Sequence, residues 1–234
     1  MSFENKVVAI TGAAGNLGRA AAMAFAEAGA NLALFDVSVD GLERVYGADD
    51  ASRKLVAVDL LDSDSVETAV AGVTDAFGAI DVLCNIAGGF DMGPPVHETP
   101  GEMWRKMNDM NVRTLVHMCR AVVPGMIEAG GGKIVNIGAA AALSGLPNMG
   151  AYLASKSTVI RLTESMSAEL RDQGINVNCV LPSIIDTPQN RAAMPDADPS
   201  RWVTPEALAD AIMFLSSEKA RAVHGAALPV TGLG

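Results

Sequence analysis

Two side chains in the second half of the sequence have the types and spacing of an acid–base pair. Tyr152 and Lys156 are four residues apart at the start of a segment with helical periodicity, so their side chains share one helix face. A free phenol has a pKa of about 10 and exchanges protons poorly at neutral pH. An adjacent ammonium stabilises the phenolate and lowers that pKa. The pair therefore predicts a tyrosine acid–base group assisted by a lysine.

A glycine-rich turn near the start of the chain predicts a dinucleotide site. The segment TGAAGNLG (11–18) lies between the first predicted strand and the first predicted helix. There Gly12 permits a tight turn, Gly15 a close backbone approach and Gly18 close packing of helix on strand. Exposed N–H groups and the positive end of the helix dipole suit a pyrophosphate. A purely structural turn is the alternative, which its position directly after the first strand disfavours.

Asp36 indicates which dinucleotide is bound. It ends the second predicted strand, where a carboxylate accepts hydrogen bonds from the adenosine ribose hydroxyls and repels a 2′-phosphate. The glycine turn holds no Arg or Lys before Arg19, so no cation is available to neutralise that phosphate. The sequence therefore predicts NAD(H) in preference to NADP(H), the alternative being that Asp36 is only a solvated strand end.

These residues must be held by a scaffold in which strands and helices alternate. Short, β-branched apolar runs alternate with segments of helical spacing, which predicts parallel strands with right-handed crossovers. The expected fold is an α/β, Rossmann-type doubly wound parallel sheet of about seven strands, with helices on both faces, in a single domain covering residues 1–234. The stretch 186–204 has no clear periodicity and is expected to form a substrate lid. Predicted strands are 6–10, 32–36, 54–58, 81–85, 133–137, 175–181 and 226–230, and predicted helices are 17–28, 63–77, 102–128, 151–172 and 205–216.

Composition excludes several classes of partner. The formal net charge is −10 and there is no run of Lys or Arg, so a nucleic-acid partner is not expected. The first residues, MSFENKVVAITG, lack the charged stretch and apolar core of a signal peptide. No apolar run approaches the roughly 20 residues that span a bilayer. The sequence predicts a cytoplasmic protein with a small-molecule substrate and no membrane partner.

The cysteines and histidines do not have the spacing of a metal site. Each cysteine is expected to be a reduced, buried apolar side chain, and no metal is predicted. The residues concerned are Cys84, Cys119, Cys179, His97, His117 and His224.

Over essentially its whole length the chain resembles the short-chain dehydrogenase/reductase family. TGAAGNLG is similar to the family's cofactor turn, and NIAG (85–88) to its NNAG segment, with Ile86 in place of the second Asn. Asn111 matches the asparagine that holds a proton-relay water near the lysine, and Thr187 matches a residue that contacts the nicotinamide carboxamide. NCVLPSIIDT (178–187) resembles the segment after the sixth strand, where Ser183 replaces the usual Gly. The cofactor contacts that the resemblance implies are Gly12, Gly15, Asn16, Leu17, Gly18, Asp36, Asp59, Leu60, Asn85, Ala87, Gly88, Tyr152, Lys156, Pro182, Ile185 and Thr187.

Two positions depart from the family pattern. Asn16 stands where the short branch usually has a middle glycine, and because Asn tolerates left-handed backbone, cofactor binding is expected to survive. Ala139 stands where the family has its substrate-orienting serine. Losing one donor to a developing oxyanion typically costs on the order of 10²–10³ in rate. Ser144 is a candidate substitute in the adjoining loop, and a water or the substrate itself is the other.

The alanine suggests a subgroup. Local stretches, among them AAAALSGLPNMGAY and LCNIAGGF, resemble dihydropteridine reductases, which implies reduction of a quinonoid dihydropterin by NADH. Such an activated ring needs less carbonyl polarisation, which suits a site without the serine. Trp104 and Trp202 could flank a flat heterocycle, although packing in the core or the lid is the simpler role for each.

Two alternatives stay open beside the pterin interpretation. One is a carbonyl or alcohol dehydrogenase similar to 3-oxoacyl-(carrier protein) reductases, and the other is a catalytically weak NAD(H)-binding sensor or structural subunit. Family members commonly form homodimers or homotetramers through the helices at 102–128 and 151–172, so the resemblance also implies an oligomer.

Overall fold

The computed structural model describes residues 1–233, in which seven parallel strands form one sheet with the order β3-β2-β1-β4-β5-β6-β7. Most strand residues are buried on both faces, as expected of a parallel sheet covered by helices. All seven predicted strands are confirmed, with ends moved by at most one residue. They are β1 (Val7–Thr11), β2 (Asn31–Asp36), β3 (Arg53–Ala57), β4 (Val82–Asn85), β5 (Gly132–Ile137), β6 (Ile175–Pro182) and β7 (Ala227–Val230).

The helices cover the sheet in two layers, and the predicted α/β, doubly wound fold is confirmed. Helices α3, α5 and α6 pack on one face, where Ala9, Phe35 and Ile134 of the strands point. Helices α1, α2 and α8 pack on the other, with Val8 and Ile10. The main helices are α1 (Asn16–Glu27), α2 (Val39–Tyr46), α3 (Ser63–Phe77), α4 (Gly101–Asn108), α5 (Thr114–Glu128), α6 (Gly150–Leu170), α7 (Pro188–Ala193) and α8 (Pro205–Ser216).

Two helix predictions were wrong in detail. Helix α2 was not predicted, because its eight residues bury only Leu42 and so give almost no apolar periodicity; the Ser38 hydroxyl caps it by accepting from the Gly41 N–H. The single helix expected at 102–128 is divided by a wider π-helical turn, Asp109–Arg113. Because apolar spacing is similar on both sides of such a turn, periodicity does not reveal it.

The strand order reverses beside β1, whose neighbours β2 and β4 lead to opposite halves of the sheet. In an open parallel sheet this point leaves a crevice beyond the carboxyl ends of the strands, where ligands bind. Cys84, Cys119 and Cys179 are free and buried in the core, as predicted. Within residues 1–233, no helix combines the length and apolarity needed to cross a membrane.

Candidate active site

The glycine turn leaves the carboxyl end of β1 and forms one wall of the crevice. Gly12 has a φ of +65°, and a Cβ added there would lie 3.0 Å from the Cα of Ala87. A Cβ on Gly18 would meet the Gly12 carbonyl oxygen and would lie 2.8 Å from the Cα of Ala13. A Cβ on Gly15 meets only the Gly12 carbonyl oxygen, at 3.2 Å, and otherwise enters open space. The turn therefore leaves room for a ligand at Gly15 and none for side chains at the other two glycines.

Helix α1 begins at this turn with its N–H groups toward the crevice. In the part of the chain that the structure describes, no side chain caps the helix and its first turn carries no acidic residue. An uncapped, positively polarised helix end beside open space fits the pyrophosphate of a dinucleotide. The residues present therefore fit the predicted cofactor.

Two side chains, Thr11 and Tyr46, hold the turn in place by hydrogen bonds to the backbone. The Thr11 hydroxyl accepts hydrogen bonds from the N–H groups of Ile86 and Ala87, both at 3.0 Å. The Tyr46 hydroxyl donates to the carbonyl of Ala13 at 2.7 Å, and its burial raises the pKa of the phenol far above its ordinary value. Sequence reasoning missed Tyr46 because it lies in the unpredicted helix α2.

Asp36 ends β2 beside the turn and has a structural role of its own. Its Oδ2 accepts from the Ala14 N–H at 3.0 Å, and its Oδ1 accepts from the Val37 N–H at 2.8 Å. The carboxylate lines the crevice, so it can bind the backbone and also face a ribose.

The crevice has a volume of about 680 Å³. Asp59 and Leu60 lie in its wall, and the carbonyl of Leu60 is 2.8 Å from Nδ1 of His117. A smaller cavity of about 540 Å³ lies at the opposite edge of the sheet and contains none of the predicted site residues. Predicted residues lining the 680 Å³ crevice are Gly12, Gly15, Asn16, Leu17, Gly18, Asp36, Asp59, Leu60, Ala87, Gly88, Ile185 and Thr187; the residues not predicted are Ala14, Val37, Val58, Leu61, Ile86, Met110 and Thr114.

Asn16 does not adopt the left-handed backbone that motivated its expected tolerance. It is the first residue of α1, and Asn5 and Asn148 are the non-glycine residues with positive φ in the described chain. The Asn16 side-chain amide donates to Oε1 of Gln189 in helix α7 at 2.9 Å. This bond joins the glycine turn to the segment predicted as a lid.

Four predicted cofactor contacts do not line the crevice: Asn85, Tyr152, Lys156 and Pro182. The Asn85 side chain is buried and donates to Oδ1 of Asn136 at 2.9 Å, and Asn136 in turn donates to the Thr163 hydroxyl at 2.9 Å. These bonds tie β4 to β5 and to helix α6. The side chain of Asn85 is thus used inside the fold, which the family motif could not reveal.

Asn111 lies in the π-helical turn and fixes the loop after β4. Its Oδ1 accepts from the Gly89 N–H at 3.0 Å, and its Nδ2 donates to the Gly89 carbonyl and the Ser155 hydroxyl, both at 3.1 Å. The Ser155 hydroxyl donates to the backbone carbonyl of Tyr152 at 2.7 Å. Asn111 thus connects the crevice wall to helix α6, and Ser155 is a positioning residue that the sequence motifs did not identify.

Gly88 brings the acid–base residues to the crevice. It lines the crevice, and a Cβ added there would lie 2.6 Å from Oδ1 of Asn111 and 3.3 Å from Nζ of Lys156. The Lys156 ammonium is buried and donates to the carbonyl of Ile137 at 2.8 Å. Asn111 and Lys156 therefore lie directly behind Gly88 in the crevice wall, and Tyr152 lies one turn before Lys156 on helix α6.

The pKa of Tyr152 differs from the expectation drawn from the motif. Burial raises the pKa of the Tyr152 phenol to about 12, because the phenolate loses hydration. The same effect lowers the pKa of the Lys156 ammonium to about 8. The predicted lowering of the phenol's pKa by the ammonium is therefore wrong for this arrangement, where desolvation dominates and Tyr152 is protonated at neutral pH.

Ala139 stands at the end of β5 with its methyl group buried. Ser144 is exposed in the loop that follows, and its N–H donates to the Ala141 carbonyl at 3.3 Å. Trp202 is almost fully buried, whereas Trp104 is 36% exposed. The two indole rings are therefore in different environments, and only Trp104 offers an open face.

The predicted lid, 186–204, contains helix α7 and is tied down at its base. Arg191 donates to both carboxylate oxygens of Asp186, at 2.6 and 2.7 Å. The Thr187 hydroxyl caps the helix by accepting from the Asn190 N–H at 3.1 Å. The prediction of no regular structure there was incomplete, because six helical residues are too few to show periodicity.

Comparison with known proteins identifies relatives over the full length of the chain. Residues 12–232 match the family model described as Enoyl-(Acyl carrier protein) reductase. The chain is 36% identical to 2-(R)-hydroxypropyl-CoM dehydrogenase of Xanthobacter autotrophicus, over 97% of this chain and 98% of the relative.

Two solved structures have the same architecture. A short-chain type dehydrogenase/reductase from Mycobacterium ulcerans superposes with a TM-score of 0.93 at 27% identity, covering 100% of this chain and 90% of that one. The 3-ketoacyl-(acyl-carrier-protein) reductase from Brucella melitensis, solved with NADH, has a TM-score of 0.88 at 30% identity, with coverages of 99% and 98%.

Proposed function

The chain belongs to the short-chain dehydrogenase/reductase family, and we propose that it interconverts a small carbonyl compound and its alcohol with NAD(H). It is an oxidoreductase of this family type. The observation that carries the proposal is the position of Gly88, which lines the dinucleotide crevice and lies against Asn111 and Lys156. This contact supports a cofactor site that adjoins the acid–base residues.

Residues of the chain bind the cofactor, orient the substrate and transfer the proton. Bound NADH would supply the hydride that the carbonyl carbon receives in reduction. The Tyr152 hydroxyl donates its proton to the carbonyl oxygen, so that the product is an alcohol. At neutral pH the phenol is protonated, so it holds the proton that is donated. Lys156 lies one helical turn from Tyr152, so its positive charge stabilises the forming phenolate. The lid 186–204 is joined to the glycine turn by the bond from Asn16 to Gln189, and its Thr187 lines the crevice.

The substrate candidates can be separated by one assay series. NADH oxidation is measured with a neutral ketone, an acetoacetyl thioester and a quinonoid dihydropterin. The thioester represents the carrier-protein reductases, one of which is the relative solved with NADH. The dihydropterin is a second candidate, favoured by Ala139, since an activated ring needs less polarisation. Tight NADH binding without turnover of any of the three would favour a sensor and would contradict the proposal.

Cofactor choice is predicted to depend on the charge of Asp36. We expect NADH to bind at least about tenfold more tightly than NADPH, because the carboxylate repels a 2′-phosphate. In Asp36→Asn the amide oxygen can still accept from the Ala14 N–H, so the turn is retained and the preference for NADH shrinks. Dissociation constants from fluorescence titration test this. Equal affinities in the wild-type protein would contradict the role of Asp36.

The rate of reduction is predicted to fall above about pH 8. The folded-state pKa of Lys156 is lowered to about 8 by burial, so its charge is fully present below that pH and lost as pH rises. Arg keeps its charge at higher pH, so in Lys156→Arg kcat/KM should no longer fall above about pH 8. Its kcat/KM should be lower than that of the wild type at every pH. If kcat/KM of Lys156→Arg still fell above about pH 8, the fall would have to come from a group other than Lys156.

The same pKa difference has a consequence for stability. Between about pH 8 and 10.5 the unfolded chain binds the Lys156 proton and the folded chain does not. The free energy of unfolding therefore gains a contribution that rises with pH in this window. Lys156→Met should remove that contribution.

The family relationship also supports self-association. Val116 and Ile127 on helix α5 are exposed apolar side chains, on one of the two helices through which a homodimer or homotetramer was expected. We propose that α5 and α6 form that interface.

A further inference from the structure

Exposed apolar side chains are concentrated around the end of the site that holds Tyr152. Three segments, 89–96, 143–150 and the face of α4 that carries Trp104, surround the first turn of helix α6. Six of their large apolar residues are 36–61% exposed. This set, the apolar mouth, consists of Phe90, Met92, Val96, Trp104, Leu143 and Leu146.

Contacts within the apolar mouth hold it against the acid–base residues. The Phe90 and Tyr152 rings meet edge to face, with centroids 4.9 Å apart. A Cβ on Gly150, two residues before Tyr152, would lie 2.6 Å from Cγ2 of Val96 and 3.9 Å from the ring of Trp104. The Gly93 N–H donates to the Asn148 carbonyl at 2.8 Å and joins the two loops. The mouth is therefore an ordered surface beside the Tyr152 phenol.

The mouth offers little to a charged ligand. Asp91 is the one charged residue in 89–96 and 143–150, and it forms an ion pair with Lys106 at 2.8 Å. Ala139 replaces a hydroxyl with a methyl group at the edge of the site. A carboxylate or ammonium placed against these two loops would lose hydration without gaining a partner from them, whereas a hydrocarbon would remove apolar area from water. The charged residues of the third segment, Glu102, Arg105 and Lys106, lie beside Trp104 on α4.

We propose that the substrate is an uncharged ketone, or its secondary alcohol, with an apolar ring or branched hydrocarbon body that lies on Phe90, Val96 and Trp104. The inference rests on the proposed function and specifies its substrate class. The carbonyl carbon receives the hydride of NADH, the Tyr152 proton goes to its oxygen, and NAD⁺ leaves.

A set of ketones that differ only in charge tests the proposal. We expect kcat/KM with NADH to be about 10²-fold higher for 4-methylcyclohexanone than for 4-oxocyclohexanecarboxylate or 4-aminocyclohexanone, because of the unpaired charge. Lengthening the 4-alkyl group from methyl to propyl should raise kcat/KM about fourfold per methylene. Phe90→Ala should lower kcat/KM for the neutral ketones about tenfold without changing NADH affinity.

A charge placed in the mouth provides the matched control. Val96→Lys should lower kcat/KM for 4-methylcyclohexanone and raise it for 4-oxocyclohexanecarboxylate. Met23→Lys puts the same charge at an exposed apolar position on helix α1 and should behave as wild type. Equal or faster turnover of a charged ketone by the wild-type protein overturns the inference and leaves the proposed function standing. NADH binding with no turnover of any ketone overturns both.

Discussion

Tyr152→Phe is expected to reduce kcat for ketone reduction about 10³-fold, the usual range for loss of a general acid. The substitution removes one oxygen and keeps the ring, so the edge-to-face contact with Phe90 at 4.9 Å is preserved. NADH affinity and thermal stability should be unchanged, because the Tyr152 hydroxyl is not part of the crevice wall. Steady-state NADH oxidation, fluorescence titration and thermal unfolding measure the three quantities.

A second tyrosine gives the contrasting result. The Tyr46 hydroxyl donates to the Ala13 carbonyl in the glycine turn, so Tyr46→Phe should weaken NADH binding while kcat at saturating NADH changes little. If Tyr152→Phe instead weakened NADH binding and retained kcat, Tyr152 would have a binding role, and the proton donor would have to be sought elsewhere.

Gly18→Ala is expected to reduce NADH affinity by about 10²-fold or more and to lower the free energy of unfolding by about 1–3 kcal/mol, the range for inserting a methyl group into close packing. The added Cβ would meet the Gly12 carbonyl oxygen and would lie 2.8 Å from the Cα of Ala13. Both are backbone atoms, so helix α1 would have to move away from the strand end. Fluorescence titration and chemical denaturation test the two effects.

Two other glycines separate cofactor binding from stability. Gly15→Ala directs its Cβ into the crevice, where the Gly12 carbonyl oxygen is the atom within 4 Å, so affinity should fall with little loss of stability. Gly72→Ala, in helix α3, meets nothing within 4 Å. It should leave NADH binding unchanged and stabilise the protein by a few tenths to about 1 kcal/mol. Normal NADH affinity in both Gly15→Ala and Gly18→Ala would contradict the assignment of this turn to the cofactor.

The strands, the motif positions and helices α1, α3, α6 and α8 were predictable because their signals are local. The apolar run with Val7, Val8 and Ile10 predicts a buried strand without knowledge of its neighbours in the sheet. The segment TGAAGNLG directly follows that strand in the sequence. Tyr152 and Lys156 share a helix face because of helical spacing alone. The fold class and the location of the candidate site followed from these features.

The tertiary structure decided what depends on residues distant in the sequence. Asn16 bonds to Gln189, 173 positions away, so its role could not be inferred from backbone preference. Asn85 turns into the core toward Asn136 because β4 pairs with β5. The Asn111 amide, in the π-helical turn, donates to the Gly89 carbonyl and the Ser155 hydroxyl, which come from segments distant in the sequence.

The acid–base pair illustrates the same division. The sequence by itself determined that a phenol and an ammonium lie one helical turn apart, because that spacing is a property of the helix. Only the tertiary structure decided how deeply each group is buried, and hence that the pKa of Tyr152 rises to about 12 while that of Lys156 falls to about 8. Desolvation depends on every element packed around a group, and no local pattern in the sequence encodes that surrounding.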